Sequence, residues 1–105
     1  MNLLAWNCWG LGLPRTVHEL VLLAHTYRPK LLFICETKTG EKKLKDLSWR
    51  LGLRKCITQV GKGKGSGIAL YWDEQLEITV LSEGQRYFDV LINDVSKKTL
   101  EENSN

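Results

Sequence analysis

Histidine is scarce in this chain: it occurs twice in 105 residues, at positions 18 and 25, and not again. The three cysteines, Cys8, Cys35 and Cys56, are odd in number and form no CxxC pair, nor do they stand at zinc-type spacing from the two histidines. They read as reduced, small apolar residues, with Cys8 and Cys35 on neighbouring strands. Long apolar runs are missing as well. A stretch such as Leu31 to Cys35 is far below the roughly 20 residues that cross a bilayer, and no charged segment precedes a signal-like core. The expectation is an intracellular protein with no membrane partner.

What is present is a composition 43% hydrophobic and 26% charged, that of one α/β-sized core. A domain this short buries only roughly 60–65% of its unfolded surface, so a few missing packing partners would leave it marginal. The formal net charge of +3 is unevenly spread. From Lys38 to Lys64 nine basic residues stand against two acidic ones, whereas from Gly65 onward three basic residues face eight acidic ones. The middle segment creates a positive field able to steer a polyanion, and a solvated helix face explains the same charges. Lys38, Lys62 and Lys64 are the candidate phosphate contacts, acting without sequence preference.

Read along the chain, Asn2 to Cys8 is a short apolar strand ended by Gly10 and Gly12. A helix follows. Its signals are Pro14 near the start, Thr16 with Glu19 as a capping box, and an apolar stripe of Val17, Leu20, Val21, Ala24 and Tyr27. Pro29 stops it and Lys30 to Glu36 forms a second buried strand. A βαβ unit of this kind sets its strands parallel, so both finish at one edge, where open sheets build their sites. Glu41 to Leu51 is a basic helix with Leu44, Leu47 and Leu51 as its stripe and Gly52 as terminator. Leu53 to Val60, Ile68 to Trp72, Leu76 to Leu81 and Tyr87 to Ile92 follow as strands joined by antiparallel hairpins. Residues 1–95 form the domain, and 96–105 read as a frayed tail.

Glu36 carries the strongest chemical signal, because a carboxylate closing a buried strand costs desolvation unless a cation sits beside it. Mg²⁺ fits, since it takes one or two carboxylates with water and substrate phosphate. Reaching solvent or pairing with Lys38 is the alternative for Glu36. Asn7 either orients Glu36 or a phosphate oxygen, or serves the Gly10 to Gly12 turn. The Gly-rich GKGKGSG lacks the Lys-Ser/Thr ending and the following helix of a P-loop, and reads as a hairpin loop. The four tryptophans read mostly as core, with Trp9, in its Gly-flanked loop, able to stack on a base.

WNCWGLGLPRTVHEL, LLFICETK and GSGIALYW, in that order over about 70 residues, resemble the opening of plant retroelement-type (LINE-type) endonuclease domains in the endonuclease/exonuclease/phosphatase family. The resemblance runs from residue 1 to about 95. It implies the front half of a two-sheet α/β sandwich, Mg²⁺-dependent cleavage of phosphodiester or phosphomonoester bonds in active members, Asn7 as the strand-one Asn, and Glu36 as the metal ligand. The family's later Tyr, its Asp and Asn pair and its Ser-Asp-His close would lie beyond residue 95, leaving the catalytic set incomplete. Trp9 departs from the pattern, standing where plant elements often carry a basic residue. The expectation is an inactive remnant of such an endonuclease, or alternatively a non-catalytic nucleic-acid-binding or protein-interaction module. With the second sheet's cover missing, Leu70, Trp72, Val80 and Val90 are expected to expose apolar surface and promote self-association.

Overall fold

The computed structural model describes residues 2–60 and 67–95. Lys62, Lys64, most of the GKGKGSG segment and the 96–105 tail lie outside the described residues. The element order is β1 (Leu3–Asn7), α1 (Pro14–Tyr27), β2 (Leu31–Cys35), α2 (Glu41–Leu51), β3 (Lys55–Val60), β4 (Gly67–Trp72), β5 (Leu76–Gly84) and β6 (Tyr87–Asp94). The expected α/β architecture is the one adopted. A four-stranded mixed sheet runs β1-β2-β4-β3, and β5 and β6 pair as a separate antiparallel ribbon. β1 and β2 are parallel, with Leu3 opposite Leu31 and Asn7 opposite Cys35. β4 pairs antiparallel with both β2 and β3.

The alternation of side chains sorts the sheet into two apolar faces. On one, Leu32, Ile34, Ala69 and Tyr71 meet Val17, Leu20 and Ala24 of α1 and Leu44, Leu47 and Leu51 of α2. On the other, Leu31, Leu70 and Trp72 meet Leu76, with Phe33, Ile57, Ile78, Phe88 and Val90 around them. β2 and β4 are central and covered on both sides, which is why LLFIC and GIALYW are unbroken apolar runs. Tyr71 ties sheet to helix: its buried hydroxyl donates to the Leu44 carbonyl at 2.6 Å.

Several sequence expectations need correction. Leu70 and Trp72 are buried, at 4% and 8% exposure, and Val80 and Val90 are half-buried. The chain's own β5–β6 ribbon lies across that face through Leu76, Ile78 and Val90, and Phe88 packs edge-on against Phe33 with ring centroids 6.5 Å apart. What stays bare is the flank of β1, where Leu3 is 58% exposed and Ala5 is exposed beside it. The capping box does not form. Pro14 is already the first helical residue, with Leu13 at the cap and no side-chain cap bond, so Thr16 falls inside the first turn. Tyr27, placed in the buried stripe by spacing, is the last helical residue and lies exposed. Trp49 is 73% exposed. It sits off the Leu44, Leu47 and Leu51 stripe, and the Arg54 guanidinium stands 5.3 Å from its ring centroid. Among the described residues no helix is long and apolar enough to cross a membrane.

Candidate functional site

The parallel pairing of β1 and β2 brings the segments that follow them to one edge, and backbone bonds carry the pairing beyond the strands. Cys8 N–H donates to the Cys35 carbonyl (3.0 Å), Gly10 N–H to that of Glu36 (2.7 Å) and Leu11 N–H to that of Thr37 (2.9 Å). Asn7 and Glu36 therefore sit at the same edge, one position apart in register. The edge is conformationally tense. Trp9, Glu36 and Lys38, three of the four non-glycine residues with positive φ among those described, are all here, with φ of 54°, 54° and 50°. Each such residue costs of order 1 kcal/mol.

Asn7 Oδ1 accepts the Trp9 N–H at 3.1 Å, an Asx turn, so Asn7 does take the turn role. That bond also fixes the plane of its amide. Glu36 is half-buried, and its Oε2 is a buried oxygen with no hydrogen-bond partner. The ion pairs of the described residues join Lys30 to Asp94, Lys45 to Glu41 and Arg54 to Glu74, so the expected alternative partner, Lys38, does not hold it. Lys38 is exposed, and the first carbons of its side chain lie against Gly10, where an added Cβ would come within 3.3 Å of Lys38 Cδ.

An unpaired buried carboxylate oxygen is costly, and a cation is the group that offsets it. Among the described residues no cluster of three or more His, Cys, Asp or Glu side chains is assembled to hold a metal. The donors on hand fit an ion that keeps most of its water and takes one carboxylate oxygen, the habit of Mg²⁺ and not of zinc. Cys8 adds no nucleophile: burial, then the neighbouring Cys35 and Glu36, pushes its thiol up to about 12.

One residue of this edge was not singled out from sequence. Thr37 is fully buried with an unpartnered Oγ1, and it is wedged against Gly67, whose φ of 144° and lack of a Cβ make room for it. The only sequence signal was its place after Glu36 in ICETK. At the far end of α1, which leads into the start of β2, the His25 Nε2–H donates to the Arg50 carbonyl at 2.8 Å, clamping α1 to the end of α2. A groove of about 530 Å³ between the helices, lined by Leu11, Val17, His18, Lys43, Leu47 and Arg50 among others, includes neither Asn7 nor Glu36. Neither a protein-family model nor a curated protein matches the chain.

Proposed function

We propose that the chain carries the divalent-metal edge of a Mg²⁺-dependent phosphodiesterase domain of the endonuclease/exonuclease/phosphatase kind, and that in isolation it binds nucleic acid without cleaving it. The observation that carries this reading is the buried, unpartnered Glu36 Oε2 at the shared end of two parallel strands. Glu36 would hold the ion. Asn7, its Oδ1 fixed by the Trp9 N–H, would offer its Nδ2 donor to a phosphate oxygen. Lys38, with Lys62 and Lys64, adds sequence-independent attraction to the phosphate backbone. An Mg²⁺ ion held by Glu36 would supply charge neutralisation at a phosphate oxygen. Hydrolysis also requires an activated water and leaving-group stabilisation, which one carboxylate and one amide do not provide together.

Paramagnetic Mn²⁺ tests this site directly by broadening amide resonances near it. Saturable broadening around Glu36, competed by Mg²⁺ and lost in Glu36→Gln, is the expected result, and equal broadening in the variant overturns it. A plasmid-nicking assay tests the second half of the reading: activity is expected to match a Glu36→Ala control. Self-association has its own support in the bare β1 flank, where exposed Leu3 and Ala5 border a strand edge that no other described strand pairs.

A further inference from the structure

We infer that Trp9 is a stacking platform for an unpaired nucleobase, so that this edge takes single-stranded or locally opened nucleic acid in preference to a closed duplex. The inference rests on the phosphate-binding role proposed for the same edge and names the form of the substrate. Trp9 is 73% exposed, so its indole contributes little to the core. Its backbone adopts φ 54°, a conformation that Gly or Asn accepts more readily than any bulky side chain. Neither packing nor turn geometry accounts for a tryptophan here. A flat, apolar ring beside a cation does suit a base with its phosphate. Trp9 and Gly10 are fixed to the metal edge by the bonds from Trp9 N–H to Asn7 Oδ1 and from Gly10 N–H to the Glu36 carbonyl. Lys38, its side-chain carbons against Gly10, is exposed beside them. Stacking is tolerant of base identity, since every base has a π-face, so the expected preference is for unpaired bases and not for sequence. Trp49, equally exposed, lies on α2 under the Arg54 guanidinium and is the natural control.

The test compares an eight-nucleotide oligothymidylate with an abasic phosphodiester chain of equal length, by fluorescence anisotropy of end-labelled strands at fixed salt. The intact chain should bind the thymidylate about tenfold more tightly than the abasic strand, equivalent to ~1.4 kcal/mol. Trp9→Ala should erase that difference, Trp9→Phe should keep part of it, and Trp49→Ala should leave it intact. Trp9→Gly relieves the backbone, so it should melt at or above the temperature of the unaltered chain while losing the preference, which separates stacking from folding. Equal binding of the two strands, or a preference that survives Trp9→Ala, overturns the inference. The Mn²⁺ readout at Glu36 is independent of bases, so an intact chain that binds the ion but shows no base preference rejects stacking alone, and an intact chain that binds no ion rejects the metal edge.

Discussion

Tyr71→Phe removes one oxygen from the best-defined joint between the sheet and its helices, and its cost can be worked from the structure. Tyr71 is fully buried and its hydroxyl donates to the Leu44 carbonyl at 2.6 Å, in the first turn of α2. A buried neutral hydrogen bond contributes about 1 kcal/mol net. The stranded carbonyl still lies within the helix and keeps its place as a helical acceptor, so the larger penalty for an orphaned group does not apply. The variant should therefore lose about 1 kcal/mol, or roughly 4–8 °C in Tm for a domain of this size. Burial also raises the Tyr71 pKa above its ordinary 10.0. Above that pH the unfolded chain releases the proton while the folded chain retains it, so stability falls as pH rises. Cys8 acts in the same sense from 9.0 up to about 12. Thermal melts by circular dichroism at pH 7 and from pH 9 to 12 check both parts. Tyr71→Phe should start lower at neutral pH yet decline less steeply above pH 10, and Cys8→Ala should flatten the decline that begins near pH 9. A Phe variant as stable as the unaltered chain at pH 7, with the same alkaline slope, would refute the buried placement of this hydroxyl.

Gly67→Ala should be more damaging than its size suggests, since the new methyl meets Thr37 Oγ1 and the φ of 144° is foreign to alanine. A loss of about 2–4 kcal/mol by urea unfolding is expected, and Gly12→Ala, which has open space around it, is the comparison that should cost little. His25→Ala should cost about 0.5–1 kcal/mol by removing the clamp onto the Arg50 carbonyl at the end of α2; an unchanged urea midpoint would show that the contact is idle. Sedimentation velocity at rising concentration should reveal self-association that Leu3→Lys relieves, and a monomer at every concentration would remove the bare β1 flank as its cause.

The two helices and the strand order along the chain were legible because each element carries its own period. Leu44, Leu47 and Leu51 mark one helix face, and Gly52 in a left-handed conformation ends it. LLFIC, too short for a helix and apolar throughout, marks a strand covered on both sides. What could not be read was which element covers which face. IALYW is apolar throughout, but nothing in it says that the second cover comes from β5, which starts at Leu76, and from β6 beyond it. The expectation of a bare Leu70 and Trp72 failed on that point. The alternation in Leu76, Ile78 and Val80 was visible, yet alternation gives a strand its apolar face without naming the surface it meets.

The site divides in a similar way. Parallel pairing follows from the βαβ order, and with it the placement of Asn7 and Glu36 at the same edge of the sheet. Past the strand ends, however, the side-chain parity that makes a strand legible is broken by left-handed residues. Glu36 and Lys38 both turn at positive φ with Thr37 between them, so a period of two wrongly extended would send all three to alternating faces of the sheet. In the structure Thr37 turns in against Gly67, Lys38 is exposed beside Gly10, and Glu36 leaves one oxygen buried without a partner. Asn, Gly and Asp tolerate such backbone, whereas Trp, Glu and Lys resist it. A sequence that places three such resistant residues at positive φ around one edge gives up stability there, and it is at that edge, past the strand ends, that the period of two stops being a guide to where a side chain goes.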